Sequence, residues 1–190
     1  MSQPAVAPSA SHYPRPAFEE QEERHTLSVL VDNEPGVLAR VIGLFSGRGY
    51  NIDSLTVTET EHEKHLSRIT ILTKGTPMVI EQIKAQLERL VPVHKVNDLT
   101  VSGISLEREL ALVKVAGQGD KRVEALRLAE AFRAAVVDAS TEHFVFEITG
   151  RTSKLEQFVT LMGPLGLVEV ARTGVAAIGR GKEAMTRTST

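Results

Sequence analysis

One order of elements is written twice along this chain, and that repetition limits the fold more than any single motif does. In the first copy, Leu27, Val29 and Val31 fall on one side of a strand over 26–31. After a glycine turn, Leu38, Val41, Ile42 and Phe45 recur at helical spacing. A strand over 51–60, a polar turn through Glu61, His62, Glu63, Lys64 and His65, and a returning strand over 66–73 read as a hairpin. Pro77 stands where a helix begins, since its missing N–H costs nothing there; Ile80, Ile83, Leu87 and Leu90 give that helix one apolar face, which ends before Pro92. A strand over 93–101 closes the set. The second copy runs from a strand over 106–116, with Leu110 and Leu112 opposite Ala111, Val113 and Val115, into a helix whose inner face is Ala125, Leu128, Ala129 and Phe132. Short strands over 136–139 and 144–149, a helix carrying Leu155, Phe158, Val159 and Met162, and a strand over 167–172 complete it.

The order is βαββαβ in both halves, which predicts an α+β protein of two consecutive ferredoxin-like units, each with two helices on one face of a four-stranded antiparallel sheet. The halves share element order and little residue identity. The expected division is a leader over 1–24, disordered because its Pro/Ala/Ser-rich and acidic composition buries little apolar surface, a first domain over 25–101, a second over 102–179 and a flexible tail over 180–190. A unit of about 75 residues buries only around 60% of its unfolded surface, so association is expected. Leu27, Val57 and Ile71 are expected to need covering, which side-by-side pairing of two such units into one extended sheet would provide.

Composition removes several function classes. With 22 basic against 24 acidic residues the formal charge is −2, no footprint for nucleic acid or an anionic membrane. Aromatic residues are 4% of the chain, with no Trp and two Tyr, too few for the stacking platforms by which this fold reads RNA. The absence of cysteine excludes disulfides and thiolate metal sites. No uninterrupted apolar stretch approaches a membrane span, and no secretory pattern opens the chain, so a cytoplasmic location is expected.

The stretch with most chemistry in it is the first turn. Asp32, Asn33, Glu34, Pro35 and Gly36 lie between a strand and a helix, and Asn51 follows the helix. The first four N–H groups of a helix lack intrahelical partners and the macrodipole is positive there, so a small carboxylate can be held without Lys or Arg. Gly36 allows either a positive φ or close backbone approach, and Pro35 stiffens the turn. Asn33 and Asn51 offer carboxamides to either end of a zwitterion. The same spacing also makes an ordinary turn and helix cap.

Other motifs are weaker. His62 and His65 beside Glu61 and Glu63 sit on a polar turn, which is not a preorganised metal site. Gly47, Arg48, Gly49 and Gly117, Gln118, Gly119 do not continue as phosphate loops and read as helix termination and turn. Ser46, Ser67 and Ser102 have no base at a nucleophile spacing, so no catalytic residue can be named.

The run DNEPGVLARVIGLFSGRGYNIDSLTV from Asp32 to Val57 resembles the small regulatory subunit of acetolactate synthase (acetohydroxyacid synthase), whose N-terminal half is an ACT domain. Leu66 to Thr70, Glu107 to Leu110 and Val168 to Gly174 are similar to that family too, so the resemblance spans about residues 25–183. It implies a non-catalytic subunit in valine, leucine and isoleucine biosynthesis. Such a subunit activates a large partner that condenses two pyruvates to 2-acetolactate and CO2, and it confers feedback inhibition by valine or a related amino acid. Thiamine diphosphate, Mg and FAD are implied for that partner and no cofactor for this chain. The family's effector positions fall on Asn33, Pro35, Gly36, Val37, Asn51 and Ile52, with the effector between the ACT units of a homodimer. A different amino-acid-sensing ACT regulator is the alternative.

Overall fold

The computed structural model describes residues 21–61, 65–101 and 105–185. In the first unit β1 (Glu23–Asp32), α1 (Val37–Arg48), β2 (Ser54–Glu61), β3 (Leu66–Gly75), α2 (Pro77–Leu87) and β4 (Val93–Asp98) follow in the expected order. The second unit repeats it as β5 (Ser105–Val115), α3 (Asp120–Ala131), β6 (Ala135–Ala139), β7 (Phe144–Gly150), α4 (Thr152–Met162) and β8 (Leu167–Arg172), and adds β9 (Ala176–Gly179). The sheet orders are β2-β3-β1-β4 and β6-β7-β5-β8, all antiparallel, which is the ferredoxin-like arrangement twice.

Strand alternation and helical stripe meet in each core. Leu27, Val29, Val31, Ile69 and Ile71 face Val37, Val41 and Phe45 of α1 and Ile80, Ile83 and Leu87 of α2. Pro77 opens α2, capped by Thr76, whose Oγ1 accepts from the Val79 amide. In the second unit Ala111, Val113, Val115, Phe146 and Ile148 meet Ala125 and Ala129 of α3 and Leu155, Phe158 and Met162 of α4.

Two expectations change. The buried stripe of α1 is Val37, Val41 and Phe45, whereas Leu38 and Ile42 remain 37% and 39% exposed. Apolar residues lie most of the way around this helix, so its 3.6 period admits more than one inner face. Leu27 and Ile71 are wholly buried beneath the first unit's own helices and need no second unit to cover them; Val57, on the edge strand β2, is the exposed one.

The helix-free face of the first sheet carries Thr26, Ser28 and Leu72 instead, and the second unit reaches across it. The first half of β5 pairs with β9, so Ser105 to Arg108 run against Ala176 to Gly179 while the rest of β5 sits in the second sheet. Val175 and Ala177 pack on Leu72 and Leu99. Thr26 Oγ1 donates to Glu107 Oε1 at 2.5 Å, the Val175 amide donates to Ser54 Oγ at 3.0 Å, and Ser28 Oγ donates to Met185 Sδ at 3.2 Å. Gly174 turns the chain at this junction with φ +81°, and a Cβ there would stand 2.8 Å from Ser54 Oγ, so both conformation and space require glycine. Beside it, Arg172 donates twice to Glu109 at 2.7 Å, Thr152 Oγ1 donates once at 3.2 Å, and Glu109 is 5% exposed. That pairing holds the guanidinium charge of Arg172 more firmly than in a free arginine.

Candidate functional site

The turn after β1 is pinned on three sides. The Asp32 amide donates to Pro92 O at 2.9 Å, the Asn33 amide donates to His65 O at 2.7 Å, and Asp32 Oδ1 lies 2.6 Å from His94 Nε2. Asn33, Glu34, Pro35 and Gly36 are exposed, and Val37 is buried in the core, so Val37 can offer a ligand only its backbone. Gly36 occupies the N-cap of α1 with φ +86°. A Cβ there would meet nothing within 4 Å, so glycine is required for the left-handed backbone and not for space. No side chain caps α1 and no acidic residue stands in its first turn, which leaves the positive end of a twelve-residue helix facing outward.

At its other end α1 stops on Gly49, φ +71°, with the Tyr50 amide returning to Phe45 O at 3.0 Å and the Tyr50 ring set edge-on to Phe45. Asn51 follows, exposed, with its backbone O accepting from buried Thr73 Oγ1 at 2.6 Å, and Ile52 packs half-buried on the core. The asparagines therefore mark opposite ends of the sheet. Asn33 is tied to His65 and Asn51 to Thr73, and the run of β3 between them spans roughly 26 Å. One small zwitterion cannot touch both in a single chain; a site using both takes Asn33, Pro35, Gly36 and Val37 from one copy and Asn51 and Ile52 from another.

Sequence reasoning passed over Asp53, although a carboxylate two residues after an asparagine is a recognisable local pairing. Asn51 Nδ2 donates to Asp53 Oδ1 at 2.8 Å, and Asp53 Oδ2 lies 3.6 Å from Lys74 Nζ. Of the other motifs, Gly49 ends α1 and Gly47 lies within it, and Gly117 abuts the backbone of Leu165. His65 is exposed at φ +49°, while His62 and Ser102 lie outside the described residues. Among the described residues no group of three His, Asp or Glu could hold a metal, and no helix is long and apolar enough to cross a membrane.

Comparison with known proteins accounts for both halves. Residues 27–95 match the AHAS small subunit-like ACT domain, and residues 108–181 match the small subunit of acetolactate synthase. A probable acetolactate synthase small subunit of Archaeoglobus fulgidus is 48% identical over 84% of this chain and 99% of its own. The acetolactate synthase small subunit belongs to the same family as this chain. The isozyme 3 small subunit of Escherichia coli is 45% identical over 85% of this chain and 99% of its own. The crystal structure of the Thermotoga maritima small subunit superimposes with a TM-score of 0.77 at 41% identity, covering 85% of this chain and 99% of that one. Membership makes this the regulatory part of acetolactate synthase, with catalysis outside the chain.

Proposed function

We propose that this chain binds a thiamine-diphosphate-dependent acetolactate synthase large subunit in the cytoplasm, raises its activity, and makes it answer to valine or a related branched-chain amino acid. The kinship that spans both units carries this reading. Thiamine diphosphate, Mg and FAD belong to the large subunit; this chain supplies contacts and a regulatory site. The effector lies between the ACT units of two copies. Its carboxylate meets the first-turn amides of α1 at Gly36 and the Asn33 carboxamide, and Asn51 of the second copy takes the other polar end. Leu38 and Ile42, exposed beside that helix terminus, continue as an apolar wall for an aliphatic side chain. One methylene in such a wall is worth about 1–3 kcal/mol, so valine, leucine and isoleucine are separated by degrees. Inhibition requires the two states of the complex to differ in effector affinity, by about 1–3 kcal/mol for a typical coupling.

Mixing the chain with its cognate large subunit and following acetolactate formation, with and without each branched-chain amino acid, tests the reading. The rate rises on mixing and falls with effector. Gly36→Asp keeps activation and loses inhibition, because aspartate tolerates the left-handed backbone while its carboxylate repels the ligand's. An unchanged rate on mixing rejects the function, and full inhibition of the variant rejects the site.

A further inference from the structure

We propose that Asp53 is a positioning residue that turns Asn51 into an acceptor for the ammonium group of a free amino acid, so that the site takes the amino acid and rejects the 2-oxo acid of the same side chain. This rests on the reading that the effector binds beside Asn51. A carboxamide can present either its nitrogen or its oxygen, and its partners decide which. A carboxylate only accepts hydrogen bonds, so the 2.8 Å contact with Asp53 Oδ1 obliges Asn51 to turn its nitrogen toward Asp53. The backbones of both residues are held in place, and Asp53 has a second partner. The Asp53 amide donates to Leu72 O at 2.8 Å, Asp53 Oδ2 faces Lys74 Nζ at 3.6 Å, and Asn51 O receives the hydroxyl of Thr73, which has no exposed surface.

The chemical consequence is polarity. Asn51 Oδ1, which meets no donor among the described residues, is the group left for a ligand. An ammonium arriving there gains a hydrogen bond to Oδ1, with a smaller contribution from the Asp53 charge that Lys74 partly offsets, whereas a carboxylate would set acceptor against acceptor. The ligand is thereby oriented, with its carboxylate on α1 of one copy and its ammonium on Asn51 of the other. A 2-oxo acid brings the same carboxylate and the same aliphatic chain. Its keto oxygen, however, is an acceptor set against the Asn51 acceptor, and both remain unpaired. A regulator built this way senses the product of transamination and ignores the transaminase's own substrate.

Titration calorimetry on the full chain with its large subunit, using L-valine and 3-methyl-2-oxobutanoate as probes, tests this. Valine binds the wild type at least about tenfold more tightly than the oxo acid. Asp53→Ala weakens valine about tenfold and brings the two ligands within about threefold of each other, since the released Asn51 amide can rotate and donate to the keto oxygen. Asp53→Asn keeps an acceptor without the charge and retains part of the preference. Equal affinities in the wild type, an unchanged preference in Asp53→Ala, or an equal loss for both ligands would overturn the proposal. A wild-type complex that binds neither probe removes the effector reading itself, and this inference with it.

Discussion

The two units share a fold and differ at the turn that opens their first helix. Both tie the end of the first strand to the loop before the last, through Asp32 N to Pro92 O in the first unit and Ala116 N to Gly166 O in the second. Beyond that point the first unit leaves its turn exposed, with an uncapped α1 and no acidic residue in its first turn. The second unit packs only the start of the matching turn: Gly117 is buried, while Gly119 and Asp120 are exposed and α3 likewise has no side-chain cap. A Cβ on Gly117 would stand 2.4 Å from Leu165 O, and Asp120 already supplies α3 with a first-turn carboxylate. After α3 come Phe132 and Arg133, with no asparagine. A first-turn carboxylate already offsets part of the positive end of α3, whereas α1 has none and leaves more of its dipole to a ligand's carboxylate. One fold, duplicated in element order, thus leaves an open turn without a first-turn acid in one half and packs the start of the matching turn in the other.

The hardest blow to this contrast falls on the second half. Arg172→Ala leaves buried Glu109 without its charge partner at the junction, with the Thr152 hydroxyl still donating to it, and we expect a loss of about 3 kcal/mol, the lower end for breaking a buried pair because Arg172 keeps partial access to water. Urea denaturation reads it, and a change under 1 kcal/mol would mean that the junction tolerates the orphaned carboxylate. Gly117→Ala forces a methyl into the Leu165 carbonyl and is expected to cost about 2 kcal/mol with no effect on effector binding. The matching change in the open half, Gly36→Ala, meets no atom and costs about 1 kcal/mol for the left-handed backbone alone. Equal losses at the two glycines would erase the distinction between a filled turn and an open one.

The smallest effect is the most pointed. Ala39→Asp places an acid in the exposed first turn of α1, as Asp120 does for α3. The folded chain should gain about 0.5 kcal/mol while effector affinity falls, two opposite signs from one charge. Thermal melts and effector titrations on the same sample check it, and tighter effector binding would contradict a carboxylate at that terminus.

Much of this was legible in residue spacing. The periods of two and of 3.6 located all eight strands and four helices of the paired units, and the positive φ of Gly36 and the stop at Gly49 agree with their places in the pattern. The choice of Val37 over Leu38 as the buried side of α1 was not legible, because both lie on helical stripes and only the sheet beneath selects between them. Strand β9 escaped notice because Ala176 to Gly179 carries little strand propensity and forms by pairing with the far end of an overlong β5.

By itself the sequence determined the local elements, their order, and the open helix terminus at Gly36, since those depend on neighbours within one turn or one strand. The tertiary structure alone decided that the second unit covers the first sheet's bare face, that Asn33 and Asn51 stand at opposite ends of the first sheet, and that the Thr73 hydroxyl holds the Asn51 backbone. Most of these arrangements join residues that are far apart in the chain, and contacts at such separation leave no periodic trace in the order of residues.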